Sequence, residues 1–327
     1  MKALLGAAIA IGLAAFASDP QQAGASTETC DVLVIGSDGK PLAGLGVADF
    51  LVLSDGEPAA VTSVTSVPTA LSMVLIADAT ASQPLRRYEI QNAVATSWIP
   101  NLGPNDRARL GVLASPLNQS PVLPTELKTA LGIVRPLIDR GSAEPSPLWD
   151  AAAAAIDTLA AEPPSRAIVF LSDGRSNANR LGLDDVAERA LAADVTVSTV
   201  SEGGERVVTQ AEEAAARVRP DASLRWLADY TGGVFLEDGV ARRTLRPQID
   251  PFAYVKELVQ TPNRPGPLLE QIMTGLRQRY RVTFSPPASG GRPAAGRLHR
   301  LGVSVRTPGA NVRVKARYLA SARFPTP

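Results

Sequence analysis

The sequence predicts an α/β protein in which a doubly wound, mainly parallel sheet is joined to a small β domain formed by the chain on either side of it. From residue 68 to residue 279, apolar strand-like runs alternate with stretches of helical periodicity, the pattern of a parallel sheet covered on both faces. Residues 31–67 and 280–327 contain short β-type runs separated by turn signals. The length of 327 residues, with 45% hydrophobic and 20% charged residues, suits about two folded domains.

The middle of the chain contains the predicted strands and helices of the main sheet. The strands are the apolar runs Leu71–Ala77, Ala108–Ala114, Ala167–Leu171, Val195–Val200 and Val234–Leu236. The helices are the stretches Leu85–Trp98, Glu126–Ile138, Leu148–Ala161, Asp184–Ala193, Thr209–Tyr230 and Leu268–Arg279. Trp98 and Trp226 fall on apolar helical stripes, so both are predicted to lie in the core.

The two flanks are predicted to pair with each other. The first flank has three short apolar runs, Val32–Ile35, Phe50–Leu53 and Ala60–Val64. The second has a strand at Tyr280–Phe284, followed by two alternating runs that we expect to form a hairpin through the Pro-Gly turn Thr307–Ala310. Because neither flank has enough apolar surface to be stable alone, we expect one small β domain with the α/β part inserted in it.

The first 17 residues have the pattern of a secretory signal peptide. Lys2 is followed by an uncharged apolar stretch that ends in the small-x-small sequence Ala15-Phe16-Ala17. The stretch is shorter than the ~20 residues that a spanning helix needs, and an uncleaved anchor is the alternative. We therefore expect export to the periplasm or the exterior, a mobile linker at 18–30, and no further membrane-spanning segment.

The inventory of reactive side chains argues against most enzyme classes. A single Cys, Cys30, excludes a disulfide framework and a cysteine-built zinc site. A single His, His299, removes most histidine-dependent catalysis. We therefore expect a non-enzymatic protein without catalytic residues or an organic cofactor.

Charge is distributed unevenly along the chain. Residues 271–327 contain 11 Arg and Lys and no Asp or Glu, whereas residues 18–270 carry 21 positive and 32 negative side chains. The basic segment could attract an anionic surface, or it could pack beside the acidic body so that the charges partly cancel. We favour packing because the segment has the pattern of ordinary strands. Its aromatic residues are too sparse for a base-stacking surface, so no nucleic-acid partner is expected.

Three segments place oxygen-bearing side chains where ligands bind in α/β proteins, at the carboxyl ends of parallel strands. Asp78-Ala79-Thr80-Ala81-Ser82 follows the first strand of the sheet, Ser146 precedes the third helix, and Asp173 follows the third strand. Each residue also has an ordinary structural explanation. Asp78 and Ser82 can cap the next helix, Ser146 before a proline is a typical helix N-cap, and Asp173 before a glycine is a common turn.

These segments resemble the metal-ion-dependent adhesion site of the von Willebrand factor A (VWA) family, which uses D-x-S-x-S, a Thr from a second loop and an Asp from a third. The resemblance places Asp78, Thr80, Ser82, Ser146 and Asp173 at the metal-binding positions. It implies a VWA, Rossmann-like fold and protein binding through Mg²⁺ or Mn²⁺, completed by an acidic residue of the partner. Thr80 replaces the usual Ser and Ser146 the usual Thr, and both exchanges keep the hydroxyl.

The flanks extend the resemblance to a group of exported bacterial proteins built around this domain. Their leading motif is matched by Asp38–Leu45, Asp49-Phe50 and Asp55-Gly56, and their late L-A-x-x-T-G-G motif by Leu227–Gly233. The whole chain therefore resembles this group.

The donor set suits Mg²⁺, which binds oxygen ligands and keeps several waters. The sequence favours a divalent-metal-dependent, adhesion-type protein-binding module. Two other functions stay open. One is a metal-free structural component of an envelope assembly, with contacts through the β flank or the basic C-terminal face. The other, supported by the fewest residues, is an envelope-acting hydrolase.

Overall fold

The computed structural model describes residues 27–67, 70–79, 84–140, 145–201, 221–237, 265–287 and 296–320. The predicted signal peptide therefore lies outside the described residues, as do most of the predicted linker and the first part of the predicted helix Thr209–Tyr230. Across the described ranges, no helix has both the length and the apolar character that a bilayer-spanning segment needs.

The described residues form the following strands and helices. The strands are β1 (Glu28–Ile35), β2 (Phe50–Ser54), β3 (Glu57–Val67), β4 (Ser72–Ala77), β5 (Arg107–Val112), β6 (Asn118–Gln119), β7 (Arg166–Ser172), β8 (Val195–Ser201), β9 (Phe235–Glu237), β10 (Arg279–Ser285), β11 (Leu298–Val305), β12 (Asn311–Arg313) and β13 (Arg317–Leu319). The helices are α1 (Pro84–Ala93), α2 (Leu127–Arg140), α3 (Leu148–Ala160), α4 (Leu183–Ala192), α5 (Ala222–Thr231) and α6 (Pro265–Arg277). A π-helical turn, Val94–Trp98, continues α1.

Strands β4 to β9 and the six helices make an α/β unit. Its sheet has the order β6-β5-β4-β7-β8-β9. Strand β4 pairs in parallel with both β5 and β7, and the parallel ladder continues through β8 to β9. The short strand β6, which the sequence pattern did not predict, runs antiparallel to β5. The unit is thus α/β in class, and its sheet is mixed rather than wholly parallel.

The side chains of the central strand alternate between two apolar layers. Met73 and Leu75 join the cluster that includes residues of α1, α2 and α6, whereas Val74 and Ile76 join the cluster built from α3, α4 and α5. All six residues of β4 are buried, which explains why its sequence is a continuous apolar run after Ser72 rather than an alternating one.

Trp98 and Trp226 have different environments. Trp98 is fully buried, as predicted. Trp226 is 41% exposed and stacks on Tyr230 with a distance of 4.7 Å between ring centroids. The prediction of a core position for Trp226 is therefore wrong, because the stripe of α5 that faces the sheet is formed by Leu224, Leu227 and Ala228 instead.

The two flanks lie in one seven-stranded sheet, the β unit, with the order β12-β1-β10-β3-β2-β11-β13. Strand β10 from the second flank sits between β1 and β3 from the first, antiparallel to both. Strand β1 begins at Glu28, so the last three residues assigned to the predicted linker are strand. Cys30 in β1 is free and buried, and its burial raises the pKa of the thiol to about 12.

The predicted hairpin after residue 300 is wrong. Strand β11 pairs with β13 on one side and with β2 on the other, while β12 pairs with β1. The turn at Thr307–Ala310 therefore carries the chain to the edge of β1, where residues 311–313 pair, instead of folding it back onto β11.

The T-G-G sequence at the end of α5 forms the junction between the two units. Gly232 has φ 75°, and a Cβ atom there would lie 2.4 Å from the backbone nitrogen of Lys315. A Cβ atom on Gly233 would lie 1.8 Å from the carbonyl oxygen of Val197. Next to them, the N–H of Ala316 donates to the carbonyl of Tyr230 at 2.8 Å. Both glycines are thus required by close backbone contacts.

The basic C-terminal segment packs against the acidic body. Arg313 pairs with Asp229, Lys315 with Asp194 at 2.6 Å, and Arg317 with Glu188 at 2.7 Å. Each cation lies in the β unit or its connecting loops and each carboxylate in the α/β unit. These three cations therefore neutralise carboxylates of the α/β unit, as the packing alternative predicts, and are not left open to bind an anionic surface.

We expect Gly232→Ala to lower the free energy of unfolding by about 2–5 kcal/mol in urea titrations. A left-handed residue other than glycine costs about 1–2 kcal/mol, and steric overlap with the segment at Lys315 adds about 1–3 kcal/mol. Gly39→Ala is the matched control, because Gly39 has φ 78° but a Cβ atom there would meet no other atom within 4 Å. Equal losses in both variants would contradict the assignment of Gly232 to a unit junction.

Candidate metal centre

Parallel pairing places Asp78 beside the end of β7. The ladder ends with Ala77 opposite Leu171, and the N–H of Asp78 donates to the carbonyl of Leu171 at 3.0 Å. The hydroxyl of Ser172 then donates to Asp78 Oδ2 at 3.1 Å and accepts the N–H of Gly174 at 3.1 Å. Asp78 and Ser172 are both buried. The first carboxylate of the predicted site is therefore fixed next to the loop that carries the second.

Ser146 is brought to the same edge by the loop that follows β7. Its N–H donates to Asn177 Oδ1 at 2.6 Å, and its carbonyl accepts the N–H of Asn177 at 3.0 Å. This reciprocal pair holds the main chain of Ser146 against residues 173–182. The predicted residues Asp78, Ser146 and Asp173 are thus connected through one loop.

The hydroxyl of Ser146 does not cap α3. Helix α3 has no side-chain hydrogen bond from its N-cap. The N–H of Leu148 donates to the carbonyl of Ser146 at 3.0 Å and to the hydroxyl of Ser176 at 3.1 Å. Within the described part of the chain, no hydrogen bond involves the Ser146 hydroxyl, although the residue is buried. The helix-cap explanation of Ser146 is therefore wrong, and its oxygen is available as a ligand.

The first turn of α3 is tied to the same loop. Asp150 accepts the N–H groups of Arg180 and Leu181 at 3.1 and 3.0 Å. Burial favours a raised pKa for Asp150, but these two backbone hydrogen bonds and the nearby Arg180 charge outweigh it, so the pKa is lowered. Asn179 adds a further bond, accepting the N–H of Trp149 at 2.8 Å. The loop 173–182 and the start of α3 are therefore joined by several hydrogen bonds.

Asp173 serves its own turn. Its Oδ1 accepts the N–H of Arg175 at 3.0 Å, and Gly174 has the positive φ of 80° that this turn needs. Its Oδ2 lies 3.6 Å from Arg175 Nε. Asp173 therefore has the predicted structural role in a turn, and the Arg175 guanidinium lies beside its second carboxylate oxygen.

Thr80 and Ser82 lie outside the described residues, which resume at the start of α1. Sequence reasoning missed Ser172, Ser176 and Asn177, although all three follow the apolar run of β7 directly or within a few residues. A polar strand end followed by a Ser- and Asn-rich loop was the available signal.

The donors at this edge are oxygen atoms of one buried carboxylate, a second carboxylate and a hydroxyl without a hydrogen bond. Hard cations such as Mg²⁺ prefer such oxygen ligands. Among the residues described, no group of three or more His, Cys, Asp or Glu side chains could hold a metal ion. A cation at this edge would be held by hydroxyl oxygens together with the two carboxylates.

Comparisons with known proteins give structural likeness only. No protein-family model matches the chain, and no curated protein matches it in sequence. Among solved structures, a von Willebrand factor type A protein from Catenulispora acidiphila has a TM-score of 0.42 and 10% identity, covering 92% of this chain and 75% of that one.

Two further solved structures cover a smaller part of this chain. BatB from Bacteroides thetaiotaomicron has a TM-score of 0.39 and 14% identity, covering 59% of this chain and 100% of that one. The VWA domain of SpRpn10 has a TM-score of 0.36 and 14% identity, covering 59% of this chain and 96% of that one. At these scores and identities, the likeness assigns no function to the chain.

We expect Asn177→Ala to lower the free energy of unfolding by about 0.5–1.5 kcal/mol, because it removes the acceptor of the partly buried Ser146 N–H. Chemical unfolding measures the effect. Asn311→Ala, at an exposed edge-strand position, is the control and should change stability by less than about 0.5 kcal/mol. Equal stability of the two variants would mean that the Asn177 bond does not hold Ser146.

Proposed function

We propose that the chain is an exported protein-binding module of the VWA type, whose binding depends on Mg²⁺ or Mn²⁺. Asp78, Ser146 and Asp173 hold the cation, together with Thr80 and Ser82, which enter the proposal from the sequence alone. The main support is the hydroxyl of Ser146, a residue that is 8% exposed; this hydroxyl forms no hydrogen bond in the described chain, and loop 173–182 ties its residue to the Asp78–Ser172 edge.

The bound cation supplies a positive centre that an acidic side chain of a partner protein can ligate. The residues of this chain contribute orientation. Ser172 fixes the Asp78 carboxylate through a hydrogen bond of 3.1 Å, and Asn177 fixes the Ser146 backbone. The proposed role is binding without catalysis, for which no acid–base pair is needed. The one histidine, His299, lies in the β unit, where its Nδ1 is 2.8 Å from Asp55 Oδ2.

A second candidate is a metal-free structural component of an envelope assembly. One observation favours it: the Arg175 guanidinium lies 3.6 Å from Asp173 Oδ2, where it supplies positive charge beside the proposed site. In that case the loops would be a scaffold, and the partner would contact another surface, such as the β unit.

Thermal unfolding with Mg²⁺ or Mn²⁺, compared with EDTA, separates these candidates. A cation at a hundred times its Kd adds about 2.7 kcal/mol of stability. This corresponds to a rise of about 5–10 °C in Tm for a domain of this size. We expect the rise in the parent protein and its loss in both Asp78→Asn and Ser146→Ala.

Two further variants complete this experiment. Asp184→Asn removes an exposed carboxylate from α4 and should keep the full metal-dependent rise. Arg175→Ala removes the competing guanidinium and should lower the Kd for the cation several-fold, because like charges compete for one carboxylate. An absence of any metal-dependent rise, in the parent and in Arg175→Ala alike, would favour the metal-free scaffold.

Export is a separate part of the proposal and rests on the signal-peptide pattern of residues 1–17. When the gene is expressed in a bacterium with intact secretion, we expect the protein outside the cytoplasm with Ser18 as its first residue. Cell fractionation measures the location of the protein, and N-terminal sequencing identifies its first residue. Recovery of the protein in the membrane fraction with Met1 or Lys2 retained would instead indicate an uncleaved anchor.

A further inference from the structure

A small cavity lies at the opposite edge of the six-stranded sheet from the candidate metal centre. It has a volume of about 30 Å³ and is lined by the beginnings of β7 and β8, by Leu71 before β4, and by residues of the β unit. Its charged lining residues are Asp31, Arg166, Asp194, Arg279 and Lys315. The cavity therefore lies at the junction of the two units and is surrounded by charge.

The two carboxylates of this cavity already have cationic partners. Asp31 accepts hydrogen bonds from Nε and Nη2 of Arg281, at 2.9 and 3.1 Å. Asp194 accepts from the Lys315 ammonium at 2.6 Å. Asp31 and Asp194 also act electrostatically on Arg279, but the wall has three cations against these two carboxylates, and neither carboxylate lies in an ion pair with Arg166 or Arg279.

Those two guanidiniums, of Arg166 and Arg279, donate to neutral carbonyls. Arg166 donates to the carbonyls of Glu162 and Ala193, both at 2.8 Å. Arg279 donates through Nη2 to the carbonyl of Gly232 at 2.8 Å. Across the described ranges, neither guanidinium forms an ion pair. The cavity wall thus carries an excess of positive charge.

Arg279 is the more deeply buried of the two. It is only 7% exposed, and its Nε has no hydrogen-bond partner. An arginine stays protonated in proteins, and a buried cation costs several kcal/mol unless it is paired. Burial lowers the pKa of the Arg279 guanidinium, and this effect outweighs the opposing influence of the Asp31 and Asp194 carboxylates. A buried, under-satisfied cation beside a cavity points to a missing negative ligand.

We propose that this cavity binds a monovalent inorganic anion, chloride under ordinary conditions, beside Arg279 and Arg166. A volume of about 30 Å³ exceeds the ~10–15 Å³ that one water needs, so the cavity has room for a small inorganic anion. Because Arg279 belongs to β10 and Arg166 to β7, the anion joins the two units. This site does not depend on the proposed metal-dependent function.

Crystals grown in bromide and measured at the bromine absorption edge test the site directly. We expect an anomalous peak in the cavity next to the Arg279 guanidinium. Density in the cavity without anomalous signal would identify ordered water and overturn the proposal. Arg279→Gln crystals grown in the same bromide should lose the peak.

Thermal unfolding at constant ionic strength tests the same site in solution. We expect Tm of the full chain to be higher in chloride or bromide than in gluconate, an anion too large for the cavity, by about 3 °C or more. Arg279→Gln should lose this difference. Since that buried substitution could prevent folding, Arg166→Gln, at a less buried position, provides a second variant with the same expected loss.

Arg300→Gln is the matched control, because Arg300 is an exposed cation of the β unit outside the cavity wall. This variant should retain the full difference in Tm between chloride and gluconate. Two results would overturn the proposal: equal Tm values for the parent in chloride and gluconate, or an equal loss of the difference in Arg300→Gln, which would indicate general screening.

Discussion

The parallel pairing of β4 with β7 is the interaction on which the candidate site depends. It places Ala77 opposite Leu171, so that the next residue of each strand, Asp78 and Ser172, meet at the sheet edge. All residues of β4 are buried between two helical layers, which strongly specifies the register. A slip of one residue would separate the carboxylate from the hydroxyl that orients it and would exchange the side chains of β4 between the two apolar layers.

Beyond this edge, the site is held by loops that bind each other. Residues 173–182 donate to or accept from Ser146, Leu148, Trp149 and Asp150, through both main-chain and side-chain groups. A helix cap would have used the Ser146 hydroxyl locally. Because Ser176 takes that role for α3, the Ser146 hydroxyl keeps its lone pairs for another ligand.

The two edges of the six-stranded sheet have different chemistry. The edge where the parallel strands end carries hydroxyls and carboxylates, with Arg175 as a nearby cation. The edge where they begin carries the unit junction, with the close backbone contact at Gly232 and a set of ion pairs around Asp31 and Asp194. Junction and candidate site therefore use separate surfaces, which allows the β unit to stabilise the fold without covering the site.

The sequence by itself determined the α/β class, most strand and helix positions, and which oxygen-bearing residues follow the strands. These features depend on burial periodicity and on neighbouring residues, which a single chain displays. Only the tertiary structure decided that β12 pairs with β1, that Trp226 is exposed, and that Asn177 holds Ser146. Each of these three features depends on contacts of a strand edge, a helix face or a loop backbone with residues that are distant in the chain. Local sequence patterns contain no information about such contacts.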